Sequence, residues 1–217
     1  MERAVLYTFW QSSASWRIRW ALAIKGVAFD SVAVDLSAGA QRTSEHLARN
    51  PIGRVPVLVI DGHTLAESVA ILEYLDETRP SPALYPRDPY LRARVRQVVE
   101  TVNAAIQPFQ NTRAFERAGA DAAAQKHYAH RFNEAGLEAL ERLLVELARE
   151  LGESRHAVGD ALTAADLFVV PQVAGARRFG VDVARFSRVL AVEAAALATE
   201  HARPALPESQ PDAPRAP

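Results

Sequence analysis

The chain has 217 residues, 49% hydrophobic and 24% charged, and Lys+Arg at 25 against Asp+Glu at 26 leave a net charge of −1. That is a globular composition for one large or two small domains, with no basic field to hold a phosphate backbone, so nucleic acid is not an expected partner. Cysteine is absent, which excludes disulfides, zinc–thiolate and iron–sulfur sites and a protein thiol nucleophile, and no apolar run reaches the roughly 18 residues of a membrane span.

The amino terminus shows no leader pattern before its first strand-like run, so a cytoplasmic protein is expected. Residues 4–10 are apolar and aromatic and end at Gln11-Ser12-Ser13, which predicts a buried strand. A helix is expected from about Ser15. Trp16, Trp20, Ala23 and Ile24 share one face and Gly26 stands at its end. Val32, Val34 and Leu36 alternate with Ala33 and Asp35 as a second strand, and a strand–helix–strand unit makes the two strands parallel. A short helix over 43–50 precedes Val55–Ile60, Asp61-Gly62 and Thr64-Leu65; Asp-Gly between apolar runs predicts a hairpin. Ser68 is expected to cap a helix reaching Arg79.

This layout, βαβ then ββα, gives an α+β thioredoxin-like domain over 1–79. Four prolines mark 80–89 as a linker. An all-helical bundle domain is expected over 90–203. Leu137, Leu140, Leu144, Leu147 and Leu151 form its clearest core stripe, and Thr163–Asp166 resembles a capping box. Pro171 should kink its helix. The tail over 204–217 carries five prolines and is expected to be extended along the surface or disordered.

Three spots invite chemistry, and each has a plain structural alternative. Ser12 and Ser13 follow a strand and open a helix, where N–H groups and the dipole favour an anion such as a thiolate; serine is also a common cap. Val55-Pro56 precedes a strand, and a cis bond there would turn the Val55 main chain towards an extended peptide. An edge-strand proline that blocks aggregation fits the same residues. Glu67-Ser68 opens a helix and suits a carboxylate beside an ammonium group, or is a plain cap. His127 and His130 lack a third ligand nearby, so a solvated face is expected and no metal site. Gln107-Pro108 interrupts a helix and lines a cleft or merely bends it.

These segments resemble the zeta-class glutathione transferases, whose characteristic activity is maleylacetoacetate isomerisation. Ser12-Ser13-Ala14-Ser15-Trp16-Arg17-Ile18-Arg19 is similar to the class signature Ser-Ser-Cys-x-Trp-Arg-Val-Arg. Asn50–Pro56 and Glu67–Leu75 are similar to glutathione-site segments shared across many transferase classes. Ile106–Asn111, Pro171-Gln172-Val173, Arg178-Phe179 and Gln210-Pro211-Asp212 again resemble the zeta class, so the likeness spans nearly the whole chain. It implies a glutathione cofactor, a homodimer, and a helical domain forming the substrate pocket. Ser12 becomes the thiolate-stabilising hydroxyl, with Ser13 beside it. Gln41, Val55, Glu67 and Ser68 hold the tripeptide, and Gln107 lines the site. Arg178, with Arg17 or Arg19, meets carboxylates of a small-molecule acid. The implied reaction is cis–trans isomerisation of maleylacetoacetate to fumarylacetoacetate by reversible thiolate addition, in tyrosine breakdown. Conjugation or dehalogenation of α-halo acids, maleylpyruvate isomerisation, and a non-enzymatic binding module are the alternatives. One position departs from the pattern. Ala14 stands where the signature has Cys, and a methyl group neither hydrogen-bonds nor forms a mixed disulfide.

Overall fold

A computed structural model describes residues 3–111, 114, 121–152 and 154–214. Met1, Glu2 and the last tail proline, Pro217, lie outside the described residues. The chain forms two compact units. The first holds the residues up to Ala83 together with those from Thr199 onward; the second is Leu84–Ala198.

In the first unit, β1 (Ala4–Thr8) leads through a turn to α1 (Ser13–Ile24) and then β2 (Phe29–Ala33). After a 3-10 turn at Ala40–Arg42 come α2 (Ser44–Arg49), β3 (Val57–Ile60), β4 (His63–Ala66) and α3 (Ser68–Thr78). The strand order is β2-β1-β3-β4. β1 and β2 are parallel, and β3 is antiparallel to both β1 and β4. The Asp-Gly hairpin is present: Asp61 and Gly62 take φ of 54° and 77°, as a tight two-residue turn requires. Leu6, Ile18, Trp20, Leu22, Leu58, Ile71, Leu72 and Leu75 are fully buried between sheet and helices.

β2 lies earlier than the alternation at 32–36 suggests. It ends where its partner β1 ends, with Thr8 opposite Ala33, and as an edge strand it leaves Val32 39% exposed. The apolar period there reflects Val34 turning inward after the strand.

The second unit contains α4 (Pro89–Ala105), a 3-10 turn at Gln107–Gln110, α5 (Ala122–Leu151), α6 (Ala164–Arg178) and α7 (Ser187–Leu197). The Leu137–Leu147 stripe of α5 is fully buried. Asp166, at the start of α6, accepts from Thr163 N (2.8 Å), Thr163 Oγ1 (3.1 Å), His156 Nδ1 (3.1 Å) and Ala157 N (3.0 Å). Its carboxylate therefore ties the 156–163 loop to the helix it opens. α6 runs unbroken across Pro171. No helix among the described residues is long and apolar enough to cross a membrane.

The C-terminal segment departs from expectation. Its described residues, as far as 214, fold into turns and belong with the first unit. Its prolines open two 3-10 turns, Arg203–Ala205 and Pro207–Ser209, positions where a missing N–H costs nothing. The Gln210 side chain donates to Pro204 O (3.0 Å) and Leu206 O (2.8 Å), bracing the two turns together.

Candidate active site

Ser12 is the N-cap of α1. Its Oγ accepts from Ser15 N at 3.2 Å. A hydroxyl that accepts this bond still has a proton to donate outward. Ser13 and Ala14 are the first two helical residues, both half-buried. The dipole at the N-terminus of α1 and a hydroxyl donor therefore meet at one point.

Val55 precedes β3, and the Val55–Pro56 bond is cis. The preceding carbonyl, Arg54 O, is held by His46 Nε2 (2.9 Å) and by Asn50 Nδ2 (3.0 Å). Accepting this bond requires the His46 tautomer with its proton on Nε2. No hydrogen bond from another described residue reaches the Val55 main chain, so its N–H and C=O remain available to an added extended segment.

Glu67, not Ser68, occupies the N-cap position of α3. Its φ of 66° lies in the left-handed region, which costs a non-glycine residue of order 1–3 kcal/mol and is commonest at binding sites. Its side chain is exposed. Ser68 is the first residue of the helix and is 4% exposed. Its Oγ accepts from Arg17 Nη1 at 3.2 Å, which leaves the Ser68 hydroxyl able to donate its own proton.

Arg17, a candidate for a substrate carboxylate, is fully buried beneath Ser68 and donates to its Oγ. The reason is helical phase: Arg17 lies one turn into α1 on the side that packs against α3. Arg19 is likewise buried. It donates to Thr8 Oγ1, Phe9 O, Trp10 O and Ala205 O, which leaves it no role as an exposed carboxylate anchor.

The topology brings Ser12, Val55 and Glu67-Ser68 to one end of the sheet. β1 finishes there, β3 begins there with Val57 opposite Tyr7, and β4 finishes there with Ala66 opposite Val57. The Arg17–Ser68 bond sets the N-termini of α1 and α3 side by side. Gln41 is in the 3-10 turn after β2 and is mostly buried. Its amide nitrogen donates to Leu36 O at 3.5 Å, while its buried Oε1 has no protein donor.

In the second unit, Gln107 is the half-buried first residue of the 3-10 turn after α4. Its neighbour Gln110 is anchored by a buried amide chain, Gln110 to Gln172 (3.1 Å) and Gln172 to Asn133 (2.6 Å). Arg177 and Arg178 both end α6, with different fates. Arg177 pairs with both carboxylate oxygens of Glu193. Arg178 has no carboxylate partner among the described residues. It lies over the Phe179 ring at 5.0 Å, and partial desolvation lowers its pKa.

Residues 3–77 match the family described as glutathione S-transferase, N-terminal domain. The mouse (Mus musculus) maleylacetoacetate isomerase is 39% identical, over 98% of this chain and 96% of that protein. The chain belongs to the zeta-class glutathione transferase family. A bacterial zeta-class maleylpyruvate isomerase, solved in its holo form, matches with a TM-score of 0.91 and 39% identity, over 97% of this chain and all of that one. The maleylacetoacetate isomerase of Anaeromyxobacter dehalogenans 2CP-1, solved with dicarboxyethyl glutathione and citrate, matches with a TM-score of 0.85 and 40% identity, covering 99% and 97%.

For this zeta-class chain, four residues near the site had no role assigned from sequence: His46 and Asn50 behind Val55, and Asp212 and Thr8 around the turn before Ser12. Asn50 and Asp212 lie in segments that resemble the family, which is the signal that could have found them. His46 and Asn50 fall in a short helix and loop where a polar residue is ordinarily solvated.

Proposed function

We propose that this protein is a glutathione-dependent cis–trans isomerase of maleylacetoacetate. The observation that carries the reading is Ser12: capped from within by Ser15 N–H, its hydroxyl keeps a proton for a sulfur anion at the N-terminus of α1. The surrounding residues fit a γ-glutamyl tripeptide. The open Val55 main chain suits an extended cysteinyl segment, and Gln41 Oε1 is a buried acceptor awaiting a donor. Glu67 offers a carboxylate to an ammonium group, while the Ser68 hydroxyl and helix N–H groups face a carboxylate.

Bound there, glutathione supplies a thiolate for reversible addition to the cis alkene, and its release after bond rotation leaves it unconsumed. A free thiol of pKa near 8.5 is only about 3% ionised at pH 7. Lowering that pKa by about two units takes roughly 2.7 kcal/mol. A hydroxyl hydrogen bond to an anion contributes about 1.5–3 kcal/mol, and the α1 terminus about 0.3–1 kcal/mol. Ser12 and its helix therefore suffice without a protein cysteine, which is why Ala14 is compatible with the chemistry. Arg178 is the proposed anchor for a substrate carboxylate and Gln107 a proposed substrate-side residue; Arg17 is withdrawn from that role by its burial. A homodimer, a cytoplasmic location and a place in tyrosine breakdown belong to the same reading.

The test is turnover of maleylacetone with substoichiometric glutathione. Product should exceed the glutathione added, with free thiol undiminished. Stoichiometric thiol loss, or halide release from dichloroacetate in the absence of isomerisation, would overturn it in favour of a conjugating or dehalogenating transferase. Maleylpyruvate isomerisation is the closest alternative, because the relative with a TM-score of 0.91 carries that name.

A further inference from the structure

The turn that carries Ser12 into α1 is held from outside itself. Ser12 N donates to Phe9 O at 3.0 Å, closing the turn. Arg19 then donates to Phe9 O (3.3 Å) and to Trp10 O (3.0 Å). The Trp10 N–H donates to Asp212 Oδ2 at 2.9 Å. Both polar main-chain groups of Trp10 are thus fixed by opposite charges. One of those charges comes from the C-terminal segment, and the other, Arg19, also donates to Ala205 O of that segment at 3.2 Å.

The segment is built for this. Ala202 and Ala205 are buried, Gln210 braces its two turns, and Ser209 Oγ donates to Arg203 O. A tail with no task on the first unit has no need to place a carboxylate on a main-chain N–H two residues before the thiol-facing serine.

We propose that the C-terminal segment 203–214 is a positioning element for the active-site serine, with Asp212 and Arg19 setting the turn that aims the Ser12 hydroxyl at the bound thiol. The inference rests on the Ser12 reading given under the proposed function. Asp212 is a positioning residue: it touches neither the thiol nor the substrate and acts through Trp10 N–H and Arg19. Val55 and Ser68 have their own supports in His46, Asn50 and Arg17, so the effect of Asp212 falls on thiol ionisation and not on tripeptide binding. Burial lowers the Arg19 pKa to about 10, and the Asp212 charge works against that.

The sign of the thiol pKa separates position from charge. Deleting the Asp212 charge alone leaves Arg19 less compensated and lowers the thiol pKa. Losing the turn's position raises it. The ultraviolet thiolate absorbance of bound glutathione is titrated in wild type, Asp212→Ala, Asp212→Glu and Ser12→Ala. Asp212→Glu keeps the charge and moves the acceptor by one methylene. The expected result is a rise of about 0.5–1 pKa unit in both Asp212 variants, a roughly 1.5- to threefold fall in kcat at pH 7, and a glutathione KM within about twofold of wild type. An unchanged pKa in Asp212→Glu, or a lowered one in Asp212→Ala, overturns the proposal, and Asp212→Glu alone decides if the alanine variant does not fold. Should Ser12→Ala leave the thiol pKa unchanged, the Ser12 reading itself fails and the positioning role goes with it.

Discussion

The two units keep their polar groups in opposite ways. In the first, buried or half-buried charged and polar side chains stand directly behind candidate site residues: Arg17 behind Ser68, His46 and Asn50 behind Val55, Arg19 and the half-buried Asp212 behind the turn before Ser12. In the second, the main buried charge cluster, Asp166 with His156, serves a helix start, and the candidate Arg178 stands at the end of α6 without a carboxylate partner. The first unit therefore recognises through main chain and hydroxyls that must be held still. The second offers a long cation whose direction a substrate can complete. A cofactor that is common to a whole family suits the former, and a variable acid suits the latter.

The largest expected effect falls on the second unit's stability. Asp166→Ala removes the acceptor of the bonds from Thr163, His156 and Ala157 and should cost at least about 3 kcal/mol, read as a lowered denaturant midpoint. A loss below about 1 kcal/mol would mean that the contrast in how the units use buried charge is overdrawn.

Next comes Ser12→Ala. It should lower kcat at saturating glutathione by about 25-fold near pH 7, as the thiolate fraction falls from about three-quarters to about 3%, with little change in melting temperature. Unchanged turnover would falsify the role given to this hydroxyl. Because the variant raises the thiol pKa, its rate should recover as the pH is raised towards 9, whereas that of wild type should level off earlier.

Arg17→Met tests whether burial behind the site matters for binding. Removing the donor to Ser68 and the positive charge beneath it should weaken glutathione binding about tenfold by calorimetry, while leaving KM for the acid substrate within about twofold. Weakened acid binding with intact glutathione affinity would return Arg17 to the substrate.

The smallest effect is predicted for Arg178→Ala. It should raise KM for a carboxylate substrate about five- to tenfold, spare glutathione affinity, and leave the melting temperature within about 1 °C, since the residue is exposed and has no carboxylate partner to lose among the described residues. A drop in glutathione affinity would place its role elsewhere.

Much of the first unit was legible along the chain. The Asp61-Gly62 hairpin and Gly26 with φ of 63° after α1 are local devices whose residues carry their own conformational preferences. The start of α1 was less legible: the helix begins at Ser13 because Ser12 caps it, two residues ahead of the apolar face that marks it. The burial of Arg17 and Arg19 was not legible, because an arginine on a helix is ordinarily solvated. Nothing local records that α3, the Trp10 turn and the C-terminal segment close over them.

Sequence by itself determined the family, the order of strands and helices, and the serine, proline and acidic positions that gather at one end of the sheet. These depend on local periodicity, turn chemistry and motif spacing. Tertiary structure alone decided which charges are buried, that the proline-rich segment folds back onto the first unit, and that Asp212 meets Trp10. Such pairings join groups some 200 residues apart, and a long-range hydrogen bond leaves no periodic trace in either of the segments it connects.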